Sequence, residues 1–380
     1  MSTGILPAER LDALIGELWA AGYTVIGPVR EGGALLYDEV RGSEDLPVGL
    51  VDRQEGGRYF LEPSGDGRFF GHTVAATPWK RFLDPPRRRL WRAERRNGQL
   101  HFLVETEEEV RFAFLGVRAC DLHGIRIRSA VAEAGPEPDE ALLDRRRSAL
   151  MVAVQCTRAG GTCFCADLGT GPAVDLPADL VLTELLEDGP HRFLAESRTE
   201  AGAKILQRLS LGPAGEVDRA AAARAVAATR RTLAERSPRL EREGLRELLY
   251  RQLESPLWDE VAGRCLSCAN CTLVCPTCFC SAVEDVTDLE GARLERWHRA
   301  DSCFTAEFSQ IHGGPVRAST RARYRQWLVH KLAYWSDQFG EPGCVGCGRC
   351  ITWCPVGIDL TEVVRDLRRR EAEESGERER

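Results

Sequence analysis

Two twelve-residue cysteine runs near the end of the chain constrain its fold more than any other feature. The first reads C-L-S-C-A-N-C-T-L-V-C-P from Cys265 to Pro276, and the second reads C-V-G-C-G-R-C-I-T-W-C-P from Cys344 to Pro355. Both follow C-x2-C-x2-C-x3-C-P, the spacing with which two-cluster ferredoxins hold [4Fe–4S] clusters. Three thiolates at this spacing wrap one cluster, and the fourth is carried to the other cluster. The pattern therefore predicts two [4Fe–4S] clusters and a chain that carries electrons.

Crossed ligation assigns the eight thiolates of the two runs to two clusters. The predicted ligands are Cys265, Cys268, Cys271 and Cys354 for the first cluster, and Cys344, Cys347, Cys350 and Cys275 for the second. Pro276 and Pro355 turn the chain directly after each distal thiolate, because proline disfavours a helical residue before it. Zinc is the alternative metal, but zinc sites favour separated C-x2-C pairs over three cysteines in seven residues.

Four further cysteines in the N-terminal half are candidates for a third cluster. Cys120 and Cys156 each follow an apolar run that reads as a strand, and adjacent parallel strands would place them side by side. Cys163 and Cys165 follow in a glycine-rich loop, and Asp121 is a candidate substitute for one thiolate. The alternative is that these are ordinary buried cysteines, which are common in protein cores.

Cys278, Cys280 and Cys303 are not assigned to a cluster, and we expect them to pack near the clusters. The tetrapeptide T-C-F-C occurs both at Thr162–Cys165 and at Thr277–Cys280, a repeat that spacing alone does not explain. Either the second copy joins the first around one cluster, or it packs near the distal Cys275. A redox-active C-x-C dithiol is the alternative, but it would form a strained disulfide ring.

Composition and missing motifs exclude several classes of function. A net charge of −7 gives no case for nucleic-acid binding, and the sequence has neither a secretory signal nor an apolar stretch of membrane-spanning length. Fifteen cysteines without an export signal predict a reducing, cytoplasmic location. Glycine-rich nucleotide-binding motifs and metal-binding histidine pairs are missing, so we expect no catalytic site in this chain.

Periodicity and cysteine distribution predict the domain organisation. Alternating strand-like and helix-like segments predict an α/β (α+β) N-terminal body over residues 1–211. A helical connector is expected over 212–257, with a break at Ser237-Pro238, and a mostly helical two-cluster ferredoxin-like domain over 258–364. The remaining residues, 365–380, are charged throughout and are expected to fray into solvent.

The segments around the cysteines resemble a family of dicluster iron–sulfur proteins over nearly the whole chain. That family includes the beta subunits of cytosolic sulfhydrogenases, which are NAD(P)-linked nickel–iron hydrogenases, and the corresponding iron–sulfur subunit of anaerobic sulfite reductase. The resemblance is carried by five segments: Gly116–His123, Gly161–Cys165 with Gly169–Pro172, Val274–Cys280, Ala322–Trp327 and Cys344–Gly357. The family usually has proline where this chain has Ala119, which leaves the predicted ligands untouched.

The resemblance implies a hetero-oligomeric complex in which this chain relays electrons. One partner would be a flavin-containing, NAD(P)-binding subunit, and the other would be the nickel–iron catalytic subunits of a soluble hydrogenase. Delivery of electrons to a sulfite-reducing subunit is the alternative, and an autonomous iron–sulfur oxidoreductase is a further one. We favour the hydrogenase complex because of the close overall match.

Overall fold

The computed structural model describes residues 2–103, 110–187, 189–236 and 239–378. The helices are α1 (Leu11–Ala20), α2 (Lys80–Leu83), α3 (Ala119–Glu133), α4 (Glu140–Ser148), α5 (Cys165–Leu168), α6 (Glu200–Leu209), α7 (Glu216–Glu235), α8 (Leu245–Arg251), α9 (Leu257–Arg264), α10 (Asn270–Leu273), α11 (Thr320–Val329), α12 (Trp335–Phe339), α13 (Arg349–Thr352) and α14 (Leu360–Arg378). The strands are β1 (Thr3–Pro7), β2 (Thr24–Glu31), β3 (Ala34–Glu39), β4 (Leu50–Glu55), β5 (Arg58–Pro63), β6 (Arg87–Arg96), β7 (Gln99–Leu103), β8 (Phe112–Val117), β9 (Leu150–Val154), β10 (Leu180–Leu185), β11 (Arg192–Ser197), β12 (Gly212–Pro213), β13 (Ser281–Thr287), β14 (Arg293–Ala300), β15 (Gln310–Ile311) and β16 (Gly314–Pro315).

An eight-stranded mixed sheet forms the N-terminal body, in the order β12-β1-β11-β10-β9-β8-β2-β3. The four neighbouring strands β10, β9, β8 and β2 are parallel, and the outer pairs are antiparallel. Every residue of β9 is buried, as expected for a parallel strand covered on both faces. This arrangement confirms the predicted α/β body.

Helices cover both faces of this sheet. On one face α1 buries Leu11, Leu14 and Leu18 against the sheet, together with residues of α6. On the other face α3 contributes Leu122 and Ile125 to a second cluster of buried side chains. The apolar spacing of α1 predicts a helix here, and the structure confirms it. Because α3 and α4 connect β8 to its parallel neighbour β9, the ends of both strands open at the same edge of the sheet.

The C-terminal region is mostly helical, as predicted. Helices α8, α9, α11 and α14 share one apolar core that includes Leu249, Trp258, Val329 and Leu367. The hairpin β13–β14 is an exception, and it pairs with β6 to give the four-stranded sheet β13-β14-β6-β7. That sheet joins strands from both sides of the predicted boundary at residue 258, so the two parts of the chain are interleaved.

The expectation that the charged tail frays is wrong for the residues that the structure describes. Helix α14 continues to Arg378, and the side chains of Arg370 and Glu371 pair with Glu260 and Arg251 of the neighbouring helices. Tertiary ion pairs of this kind hold a highly charged helix in place. The predicted break at 237–238 and the end of the strand expected at 100–105 lie outside the described residues.

Membrane-spanning helices are not found in the described part of the chain, where no helix is both long and apolar enough to cross a bilayer.

Candidate iron–sulfur sites

Both cysteine runs follow the same backbone path. Ser267 and Ala269 of the first run have φ angles of 51° and 64°, and the equivalent Gly346 and Gly348 of the second run have φ angles of 60° and 76°. A one-turn helix follows in each run, α10 in the first and α13 in the second. A left-handed backbone costs a non-glycine residue about 1–2 kcal/mol. Ser267 and Ala269 are therefore strained, and such strain clusters at functional sites.

Backbone amides approach the sulfur atoms of three cysteines in these runs. The amide of Ser267 donates to Cys265 Sγ at 3.4 Å, and the amide of Gly346 donates to Cys344 Sγ at 3.5 Å. A further amide donates to Cys354 Sγ at 3.4 Å. Hydrogen bonds to ligand sulfurs are one of the ways in which a protein sets the reduction potential of a bound cluster.

The four predicted ligands of the first cluster line one shared cavity. Its lining consists of Cys265, Leu266, Cys268, Ala269, Cys271, Phe304, Tyr324, Trp327, Cys350, Cys354, Pro355, Val356 and Ile358. Cys354 comes from the second run, as crossed ligation requires. Cys268 is exposed, so this site (the first site) lies at the molecular surface. Burial raises the pKa of Cys271, and the nearby charges of Cys265 and Cys354 raise it further.

The predicted ligands of the second cluster also lie together, in the interior (the second site). Burial raises the pKa of the Cys350 thiol, and the charges of Cys344, Cys347 and Cys275 raise it further. Burial likewise raises the pKa of Cys344 to about 12. Thiols in such a setting keep their protons unless a metal displaces them. Soft, buried thiolates in groups of four fit an iron–sulfur cluster, which spreads their charge over four iron atoms.

Cys275 differs from the other thiols of the second site. A hydrogen bond from the Cys278 thiol and the charge of Lys331 hold the pKa of Cys275 well below its usual value, against the effect of burial. The Lys331 ammonium lies 3.2 Å from Cys275 Sγ. This sulfur is therefore stabilised as a thiolate.

The four N-terminal cysteines converge at the carboxyl edge of the large sheet (the third site). Cys120 and Cys156 follow the adjacent parallel strands β8 and β9, as the sequence predicts. Burial raises the pKa of Cys165, and the charges of Cys163, Cys156 and Cys347 raise it further. Burial and the charges of Cys156 and Asp52 raise the pKa of Cys163 to about 12. These thiols therefore lie close together at this edge, and the third cluster stays a prediction.

The third site packs directly on the second cysteine run. A Cβ atom added to Gly348 would lie 2.5 Å from the carbonyl oxygen of Thr162, and one added to Gly346 would lie 2.6 Å from the amide nitrogen of Cys165. Cys163 Sγ lies 3.9 Å from the carbonyl oxygen of Cys347. Glycine at both positions thus lets two cysteine-bearing loops touch backbone to backbone.

The suggestion that Asp121 replaces a thiolate conflicts with its contacts. Asp121 and Arg349 form an ion pair at 2.9 Å, with both side chains 1% exposed. Tyr37 and Trp79 donate hydrogen bonds to the other carboxylate oxygen at 3.1 and 3.2 Å. Both carboxylate oxygens have partners in this group, so Asp121 is a structural partner of the second run and not a cluster ligand.

The two T-C-F-C segments flank the second site from opposite ends of its cysteine run. Thr162 forms a hydroxyl–hydroxyl hydrogen bond of 2.8 Å with Thr352, which follows the third cysteine. Thr277 donates to the carbonyl of Gly343, which precedes the first cysteine, at 2.7 Å. The threonines of the two copies therefore fix the two ends of the second cysteine run, a role that the sequence alone does not show.

The remaining cysteines lie beside the second site and the β13–β14 hairpin. Cys278 is hydrogen bonded to Cys275, and Cys280 is hydrogen bonded to Cys303. Cys280 and Cys303 flank the paired ends of the hairpin, where Ser281 lies opposite Ala300. This pairing across the hairpin, rather than within C-x-C, was not predicted, because it depends on the strand register.

Among the described residues, no three His, Cys, Asp or Glu side chains lie close enough together to hold a single metal ion.

Comparisons with known proteins support the iron–sulfur assignment. A family model described as a 4Fe-4S dicluster domain matches residues 264–358. Over 359 residues the chain is 30% identical to sulfhydrogenase 2 subunit beta of Pyrococcus furiosus, and the alignment covers 90% of this chain and 92% of that protein. No solved structure matches. The chain therefore belongs to the family of sulfhydrogenase beta subunits, which confirms the resemblance seen in the sequence.

Proposed function

We propose that this chain, as a member of that family, relays electrons through three [4Fe–4S] clusters in a soluble hydrogenase complex. One partner would be a flavin-containing, NAD(P)-binding subunit, and the other would be the nickel–iron catalytic subunits. A bound [4Fe–4S] cluster supplies one-electron transfer at a potential that the protein sets. The chain itself would hold and space the clusters, bury two of them from water and leave one near the surface.

The observation that carries the proposal is the succession of the three thiol sites. Cys350, a predicted ligand of the second site, also borders the cavity of the first site. Cys347, another predicted ligand of the second site, contributes to the raised pKa values of Cys163 and Cys165 in the third. The second site thus adjoins both of the other sites, which is the arrangement that a relay needs.

The ligands that we propose for each cluster are those predicted from the positions of the cysteines in the sequence. They are Cys265, Cys268, Cys271 and Cys354 at the first site, Cys344, Cys347, Cys350 and Cys275 at the second, and Cys120, Cys156, Cys163 and Cys165 at the third. A hydrogenase is favoured over a sulfite reductase because the relative that aligns over nine-tenths of the chain is named as a sulfhydrogenase subunit.

The test is turnover of the reconstituted complex after single cysteine replacements. Cys268→Ser and Cys347→Ser should abolish hydrogen-dependent NAD(P) reduction, because each removes a ligand from the relay. Dye reduction by the catalytic partner should survive, since it bypasses this chain. Cys303→Ser is the matched control and should leave coupled turnover within about twofold of wild type. Unchanged NAD(P) reduction in Cys347→Ser would refute the relay.

A further inference from the structure

Lysine is rare in this chain, and two of its three copies lie beside the same thiols. The chain has 51 basic residues, of which only Lys80, Lys204 and Lys331 are lysine. Lys331 is 5% exposed, and Lys80 is half-buried. Lys204 is on the surface of α6, where its side chain is 65% exposed and pairs with Glu200. The two inward-facing lysines are therefore exceptional in a chain that otherwise uses arginine.

The ammonium group of Lys331 has an acceptor for each of its three protons. Its Nζ atom lies 3.2 Å from Cys275 Sγ, 3.0 Å from Thr277 Oγ1 and 3.1 Å from the carbonyl oxygen of Gly343. Three acceptors around one point suit a compact ammonium group, whereas the planar fork of arginine would not fit them. The neighbourhood is thus built for a lysine.

Lys331 lies in the five-residue π-helical turn His330–Tyr334, between α11 and α12. Single π turns within α-helices are rare and are frequent at functional sites. The adjacent Leu332 and Ala333 are buried in the helical core. The ammonium group is therefore held in the interior by a fixed piece of backbone.

Lys80 brings a second positive charge to the same place from the N-terminal body. Its Nζ atom donates to the carbonyl oxygen of Cys278 at 3.1 Å and to that of Thr272 at 3.4 Å. The Cys278 thiol in turn is hydrogen bonded to Cys275. Lys80 therefore contacts Cys278, which in turn contacts Cys275, the predicted ligand that Lys331 contacts directly.

We infer that Lys331, with Lys80 behind it, is a positioning residue that raises the reduction potential of the cluster at the second site. Reduction adds one negative charge to a cluster, and a nearby positive charge stabilises the reduced form. The effect is large in the interior, where charges are poorly screened. The inference rests on the proposed function, since it requires a cluster at the second site.

The nearby positive charges should make a cluster at the second site easier to reduce than one at the first site. The cavity of the first site has no charged side chain among its lining residues, all of which the structure describes. The first site is also at the surface, where water screens charge. The relay would therefore have its easier-to-reduce cluster in the interior and a harder-to-reduce one at the surface, so that an electron entering at the first site moves inward.

The test compares Lys331→Met, Lys80→Met and Lys204→Met in the full-length chain purified without oxygen. Each change removes one lysine charge and keeps a side chain of similar length, and Lys204→Met is the matched surface control. The readout is a redox titration followed by electron paramagnetic resonance, with the second-site signal identified as the one that Cys344→Ser alters. Iron content is measured in parallel.

In Lys331→Met we expect the reduction equilibrium of the second-site signal to fall about tenfold, which is about 59 mV for a one-electron couple. Lys80→Met should shift the signal in the same direction by less, and Lys204→Met should not shift it. An unchanged second-site potential in Lys331→Met would overturn the inference. Loss of that cluster in Lys331→Met together with an unchanged potential in Lys80→Met would also overturn it. Wild-type protein without any iron–sulfur signal would overturn the proposed function itself.

Discussion

Gly348 shows how much a single residue decides in this molecule. It has a φ angle of 76°, and its Cα atom faces the carbonyl of Thr162 so closely that a Cβ atom would lie 2.5 Å from that oxygen. The equivalent Ala269 of the first run has a similar φ angle but carries a side chain. At Gly348 the Thr162–Cys165 loop occupies the space that a side chain would need. Glycine is therefore required by the contact between the second and third sites.

Gly348→Ala should destabilise the fold by about 2–5 kcal/mol. About 1–2 kcal/mol comes from the left-handed backbone, and about 1–3 kcal/mol from overpacking against Thr162. Gly98→Ala is the matched control, because Gly98 has a φ angle of 79° with nothing within 4 Å of an added Cβ atom. It should cost only the backbone part. Urea unfolding measures both, and equal costs would show that the contact with Thr162 is unimportant.

Asp121→Asn should destabilise the protein by about 3–5 kcal/mol, because it leaves the Arg349 guanidinium buried without its counter-charge. Asp285→Asn provides a surface comparison. Asp285 is exposed and pairs with Arg296, so this change should cost less than about 1 kcal/mol. Urea unfolding of both variants is the measurement. A cost for Asp121→Asn no larger than that for Asp285→Asn would contradict a structural role for the buried pair.

The elements that are best predicted from sequence are those whose pattern depends on local burial alone. Helix α1 and strands β8 and β9 are predicted, since their apolar spacing reports one buried face or full burial. The β13–β14 hairpin is not predicted, because its pairing with β6 joins residues about 200 positions apart, as in Leu294 opposite Ala93. The prediction for the tail is wrong for the same reason. Its charges meet partners on α8 and α9 that no local pattern shows.

The contact between Cys280 and Cys303, beside the β13–β14 hairpin, predicts a difference in the reactivity of the two thiols. A hydrogen bond from the Cys303 thiol lowers the pKa of Cys280 to about 7, although burial opposes it. Cys303 shows the opposite shift, because its hydrogen bond to Cys280 and its burial both raise its pKa. Because a thiolate is the nucleophile, alkylation of Cys280 by iodoacetamide should rise as the pH passes through about 7.

Peptide mass spectrometry of the cluster-loaded chain measures this reactivity. Cys280 should be modified ahead of Cys303 at pH 8, and Cys280→Ser should leave the modification of Cys278 unchanged within about twofold. Modification of Cys303 ahead of Cys280 would contradict the predicted direction of the hydrogen bond between the two sulfurs.

At the scale of the whole molecule, the N-terminal body and the C-terminal region both pack around the second site. The N-terminal body supplies the third site and Lys80, and the C-terminal region supplies the first and second sites. The dicluster domain could be predicted because ferredoxin spacing is a local pattern, and its eight ligands stay a prediction. The relative order of the sites could not, because it depends on the contact of Gly346 and Gly348 with the Thr162–Cys165 loop.

Removal of one ligand from the third site should leave the other two sites loaded. Cys156→Ser should lower the iron content by about four atoms per chain, because one cluster loses a ligand. The paramagnetic signals of the first and second sites should remain. A fall of about eight atoms or more would show that the sites assemble as one unit, in conflict with three separate sets of ligands.

The most direct test of the account is the iron and acid-labile sulfide content of the full chain purified without oxygen. Three sites with four thiolates each predict about twelve iron atoms and about twelve sulfides per chain, in a brown protein with no zinc. About eight iron atoms and eight sulfides per chain would show that the third site holds no cluster. A colourless protein that contains zinc in place of iron would contradict the central claim that the chain conducts electrons.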